Sequence, residues 1–228
     1  MYIRTDRPNA DPGSMGHPES DWSGSPFGFW DWLRRTTPAT AAGSTTQYDP
    51  AVHPWSAAIQ LFGGQVVDPA GYPRTAAGFQ DYLNATGVQY FPAAEMLTPH
   101  RKSTARRLGY SILLPKHDWW PRGAALAKLA DKLRALVGRP VRMRNWWRPS
   151  DYNKAVGGAS ASDHINALSV DLDYGSANDR RAAERMLKQL RSDNSWLRMS
   201  LGLGNVTTHV GLLSSRGERT WHYKSYRR

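Results

Sequence analysis

Hydrophobic positions along this chain follow two periodicities, and the switches between them divide it into elements. Leu126, Leu129, Leu133, Leu136 and Val137 recur at three- and four-residue spacing, which predicts a core-packed helix from about Gly123 to Val137. Gly138 and Pro140 end it. Ala183, Met186, Leu187 and Leu190 form a second stripe and predict a helix from about Asp179 to Ser192. Thr75 to Ala85 reads as a shorter helix closed by Gly87. Elsewhere the period is two. Val141 to Asn145 alternates like a strand, and so does Leu168 to Asp173, with Ser169, Asp171 and Asp173 on its polar face. Thr207 to Tyr223 reads as a hairpin that turns at Ser215, Arg216, Gly217 and Glu218. Together these elements predict an α+β fold, a small antiparallel sheet flanked by helices.

The first fifty residues show neither period. Residues 1–50 are rich in Pro, Gly, Ser, Thr and Asp and predict an irregular, extended arm and linker. Residues 51–87 then read as an N-terminal helical extension and 88–228 as the main domain. Within the arm, Phe27 to Leu33 is too aromatic for a solvated tail. It is expected either to fold back on its own domain or to anchor the chain to a larger assembly.

Composition narrows the function. An apolar content of 40% supports a real core, and no run of about 18 apolar residues is present to span a membrane. Met1 to Asp6 lacks the basic-then-apolar layout of a secretory signal, so action outside a cell is expected to use lysis, a particle or a partner secretion system. The chain has no cysteine, which excludes disulfides, thiolate zinc fingers and cysteine nucleophiles. A net charge of +11 calls for a polyanionic neighbour: nucleic acid, anionic wall polymer or phospholipid head groups. Nucleic acid is disfavoured, because no helix-turn-helix, finger or aromatic RNA motif is found. Ser-x-x-Lys and Gly-x-Ser-x-Gly nucleophile motifs and phosphate-binding glycine loops are missing too.

One stretch carries chemistry. The strand ending at Asn145 runs into Arg148, a glycine-rich loop through Val156 to Ala159 delivers His164, and the next strand carries Asp171. A His and an Asp seven residues apart on a loop and a strand can form a structural hydrogen bond, or can converge on a metal. His209, in Thr207 to Leu212, is a third candidate. Imidazole and carboxylate both suit zinc at about 2.0–2.2 Å, and three protein ligands leave a position for a water that attacks a carbonyl. The other histidines singled out, His17, His53, His100 and His117, read as surface or packing residues. Trp119, Trp120, Trp146 and Trp147 suit a groove for sugar or peptide as well as a core.

Arg148 to Asn153, Val156 to Ala159, Ser162 to His164 and Asp171 resemble the core signature of a zinc peptidase family. Its members are D-Ala-D-Ala carboxypeptidases and phage endolysin peptidases, and they share a metal site with the hedgehog domain. Tyr90 to Leu97, Gly202 to Gly204 and Thr208 to Val210 extend the resemblance over about residues 88 to 224. It implies a hedgehog/D,D-peptidase-like fold and Zn2+ held by His164, Asp171 and His209, with Arg148 and Ser162 gripping the substrate. It implies cleavage of peptidoglycan stem peptides or cross-links, by a phage lysin or a tail-particle component whose partners the aromatic arm would meet. The bond cut, D,D or L,D, stays open. The alternative is a non-catalytic peptidase fold kept as a structural or wall-binding part of a phage-like particle.

One departure stands out. Relatives usually carry an acid two residues after the last histidine or three before it, and here those positions are Gly211 and Val206. The expected hairpin offers a replacement: it would pair 211 with 222 and lean His222 over the gap as general base. Glu218 is its rival.

Overall fold

The computed structural model describes residues 48–226, and the architecture below is theirs. The arm over residues 1–50, with its Phe27 to Leu33 segment and His17, lies outside them apart from its last three residues. Seven α-helices and five strands are found among the described residues. They run α1 Pro54–Leu61, α2 Ala76–Thr86, α3 Ala93–Leu97, α4 Lys102–Arg107, α5 Trp120–Val137, β1 Arg142–Asn145, α6 Ser150–Ala155, β2 Ser169–Asp173, α7 Ala177–Asp193, β3 Ser200–Leu203, β4 Thr207–Gly211 and β5 Arg219–His222.

The three expected helices are α2, α5 and α7. α5 begins three residues earlier than its leucine stripe suggests, because Pro121 is tolerated in a first turn where its missing N–H leaves no bond unmade. Hydroxyl caps open the other two: Thr75 Oγ1 accepts from the Gly78 amide at 3.0 Å and Ser176 Oγ from the Asp179 amide at 3.1 Å.

The strands form one open sheet in the order β1-β2-β4-β3-β5. The first three pairings are antiparallel, and β3 with β5 is parallel, so the sheet is mixed rather than wholly antiparallel. Met143, Val170, Leu172, Leu201, Leu203 and Val210 fill its inner face and are all buried. α5 packs on β2 and α7 on β4 from that side. Beside them, Phe79 of α2 stacks on Trp146 at 5.3 Å and meets Trp120 edge-on at 5.0 Å.

The C-terminal hairpin is the expectation that the structure corrects. β4 does not pair with β5. The reversal lies one strand earlier, between β3 and β4, where the Gly204 amide donates to the Thr207 carbonyl at 2.8 Å. β4 is thereby enclosed by β2 and β3, and both of its edges are used. After Gly211 the chain leaves the sheet, with the Leu212, Leu213 and Ser214 amides bonded to the carbonyls of Leu168, Leu197 and Arg198. It rejoins as β5 on the outer edge of β3. Edge hydrogen bonding, rather than the turn residues at 215–218, decides the register.

Trp146 joins this core to the outer face of the sheet. It is fully buried, and its indole N–H donates to the Ala167 carbonyl at 3.2 Å. Trp146→Phe removes that donor and part of the ring volume. It is expected to destabilise the chain by about 1–3 kcal/mol, read from the urea midpoint.

Candidate metal centre

Cross-strand neighbours share a face of a sheet. The register therefore places Asn145, Asp171, His209, Gly202 and Trp221 in one row across all five strands, on the face away from the helical core. Ser169, Gly211, Ser200 and Arg219 make the next row. Gly202 has no side chain because the Trp221 ring lies across it; a Cβ there would sit 2.5 Å from the indole. The ring thus reaches over to His209, with centroids 5.1 Å apart.

His164 comes from outside the sheet, on the 3-10 turn Asp163–Asn166. Ser162 caps that turn, its Oγ accepting from the His164 amide at 3.3 Å. The Arg148 amide donates to the His164 carbonyl at 3.0 Å. Ala167 then takes a left-handed φ of 54°, which swings the chain directly into β2. His164, Asp171 and His209 converge, with one ligand atom from each lying within 4.8 Å of the others.

The fine geometry says what this cluster accommodates. His164 Nδ1 lies 2.6 Å from the Trp146 carbonyl oxygen, which can only accept, so the ring proton sits on Nδ1. Burial lowers the His164 pKa against the pull of Asp171, favouring the neutral ring. Nε2 then presents a lone pair to Asp171 Oδ1, 3.1 Å away. His209 Nδ1 approaches the same oxygen at 3.0 Å. The lone pairs of His164 Nε2 and Asp171 Oδ1 face one another, a repulsion that a cation between them would relieve. An imidazole whose other N–H is fixed by a carbonyl is the usual state of a metal-binding histidine. Three buried side-chain atoms around this face, His209 Nε2, Arg148 Nε and Ser169 Oγ, have no hydrogen-bond partner. The donor set, two imidazoles and one carboxylate, fits zinc.

Asp171 is prepared for the role. Burial alone would raise its carboxyl pKa, yet His164 and His209 hold it well below the usual carboxylate range. Its second oxygen, Oδ2, accepts from Arg148 Nη2 at 2.6 Å and Asn145 Nδ2 at 3.1 Å, leaving Oδ1 for the histidines.

The cluster opens into a cleft of about 990 Å³. Val156 to Ala159, Ala161, Ser162 and the exposed His100 line it, together with Arg216, Trp221, Tyr223 and Lys224. Arg148 and Ser162 both line this cleft, Arg148 bonded to Asp171 and Ser162 capping the His164 turn. His222 and Glu218 are not brought to it. His222 pairs with Leu203, one position out of the row that holds Asp171 and His209, so its side chain belongs to the opposite face. It is exposed, its ring 4.2 Å from that of Tyr226. Glu218 is exposed in the loop before β5. The neighbours of Gly211 are Ser169 and Ser200. Asn145, Trp221 and the Trp146 carbonyl escaped the sequence reading, because only the strand register and a backbone oxygen bring them in. Trp119 and Trp147 pack edge-on at 6.1 Å, whereas Trp120 and Trp146 are core residues.

The family model described as Peptidase M15 matches residues 105–210, which include all three clustered residues. No curated protein and no solved structure matches the chain.

The shifts carry a sign. A histidine with a depressed folded pKa contributes stability that is complete above its unfolded pKa of about 6.5 and erodes as pH falls below it. Asp171 adds a loss in the same direction at lower pH, below about 3.9. Without added metal, the melting temperature is expected to fall from pH 7.5 to 5.5, and His164→Gln to flatten that slope.

Proposed function

We propose that this chain, whose residues 105–210 match the family model described as Peptidase M15, is a zinc-dependent peptidase that cleaves the peptide part of bacterial peptidoglycan. The observation that carries the reading is the approach of His164 Nε2 and His209 Nδ1 to a single oxygen of Asp171 within hydrogen-bond distance, on the face that opens into the cleft. His164, Asp171 and His209 are the ligands in this reading. Zinc bound there supplies Lewis-acid activation of a water and of the scissile carbonyl.

The rest of the work belongs to the chain's own side chains. The Trp146 carbonyl keeps the His164 proton on Nδ1, so that Nε2 faces inward. Arg148 and Asn145 hold Asp171 Oδ2 and orient Oδ1. Trp221 walls His209 on the outer side. Arg148 and Ser162 remain the proposed contacts to the substrate backbone at the cleft floor. His222 and Glu218 have no part in this reading.

The cleft is cationic. Its lining includes Arg216 and Lys224, both exposed and neither in an ion pair among the described residues, while its two acids, Asp163 and Asp171, are already engaged. Such a rim complements a peptide bearing free carboxylates, as stem peptides do. The net charge of +11 suits anionic wall polymers in the same way. Within the proposal, the site of action is the cell wall, reached as a released lysin or as part of a phage or tail-like particle. No helix of the described residues is long and apolar enough to cross a membrane.

Mass spectrometry of purified peptidoglycan after digestion tests the reading and names the bond. Soluble peptides are expected with the zinc-loaded chain, and none after EDTA treatment or with Asp171→Asn. One equivalent of zinc with no peptide released would instead support the non-catalytic wall-binding reading, which Gly211 and Val206 favour. On a defined stem peptide, Arg216→Ala combined with Lys224→Ala is expected to raise KM about fivefold for the free acid. The amidated peptide should be barely affected, since exposed charge pairs contribute about 1 kcal/mol between them.

A further inference from the structure

Asp163 is 2% exposed, and its carboxylate is surrounded by three close donors. Ser200 Oγ donates to Oδ2 at 2.9 Å, Ser214 Oγ lies 3.0 Å from both oxygens, and Arg219 Nη2 reaches Oδ2 at 2.7 Å. Arg219 Nη1 also donates to Ser214 Oγ at 2.8 Å. This group lies directly over Gly211. A Cβ at Gly211 would stand 2.2 Å from Ser200 Oγ and 3.1 Å from Asp163 Oδ2, so the space that a side chain on β4 would use is filled by the Ser200 hydroxyl of β3 and the Asp163 carboxylate from the loop.

The network leads to the metal centre by two routes. Asp163 sits in the same 3-10 turn as His164. On its other side, the Arg219 guanidinium lies 5.3 Å from the Trp221 ring centroid, and that ring lies 5.1 Å from His209. β5 is only four residues long and pairs along one edge, with β3. An edge strand so short needs a tether outside its ladder, and the Asp163–Arg219 pair is one.

We propose that Asp163 is a positioning residue of the metal centre: its buried carboxylate, delivered over Gly211, locks the His164 turn to β5 and presses Trp221 onto His209. A carboxylate thus stands over Gly211 after all, supplied from the loop, where it holds the site in place and does not serve as a base.

The proposal rests on reading His164, Asp171 and His209 as the zinc site, and zinc affinity by chelator competition tests it without peptide turnover. Asp163→Asn keeps the volume and removes the charge. It is expected to weaken zinc binding by about ten- to a hundredfold, the range for residues that orient metal ligands. Moving the carboxylate back, in Asp163→Ala with Gly211→Asp and Ser200→Ala to clear the space, is expected to restore affinity to within about threefold of the original. Arg219→Gln, which leaves the turn itself intact, should reproduce the Asp163→Asn loss if either Asp163 variant fails to fold. Unchanged zinc affinity in Asp163→Asn or Arg219→Gln overturns the proposal. So does a folded triple variant that stays as weak as Asp163→Asn. Zinc binding in none of them, the original chain included, counts instead against the zinc site itself.

Discussion

Asp171 is a carboxylate on the middle of a sheet, with one oxygen facing two imidazoles and the other facing a guanidinium and an amide. A charge so enclosed persists only if every neighbour favours it, because removing a carboxylate from water has an effective penalty of several kcal/mol. Each neighbour arrives on a different piece of chain: Asn145 at the end of β1, Arg148 just beyond it, His164 on a 3-10 turn and His209 on β4. The placement of those pieces relative to one another is therefore tied to one side chain. The hydrophobic face of the sheet holds the strands together, and Asp171 sets what the opposite face presents.

The same logic explains why the outer face is built from small and polar residues. Ser169, Ser200, Gly202 and Gly211 leave room above the sheet, and larger groups enter that room from loops and from the edge strand. Trp221 lies over Gly202, and Asp163 lies over Gly211. The result is a floor formed by the His164, Asp171 and His209 cluster with aromatic and cationic side chains beside it, open toward solvent along the cleft. An inward-facing donor set beside an open cleft is the arrangement that the proposed peptidase reading uses.

Packing and chemistry meet at Trp146. Its ring stacks on Phe79 in the core, its indole N–H holds the Ala167 carbonyl where the turn enters β2, and its own carbonyl fixes the His164 tautomer. A single residue thus couples the helical layer to the orientation of the His164 imidazole, and the precision of the cluster depends on the quality of the core beneath it.

Much of this was legible along the chain. The leucine stripe of α5, the Ala183 to Leu190 stripe of α7 and the alternation through Asp171 are local patterns, and local patterns survive folding because each buries one face of one element. The His164–Asp171 block was legible too, since both residues sit on adjacent pieces of chain a few residues apart. His209 could be named as a candidate, but its meeting with Asp171 depends on β2 pairing with β4 across 38 positions. The hairpin at the C-terminus failed for the same reason. Turn residues at 215–218 favour a reversal, but whether β4 pairs with β5 or β3 depends on which edges remain free, and that is a property of the whole sheet. Trp221 rather than His222 faces the site because β5 joined β3 in parallel, and a one-residue difference in register exchanges the two faces. The sequence by itself determined the elements and the donor types; tertiary structure decided which strands are neighbours, and so which side chains share a face.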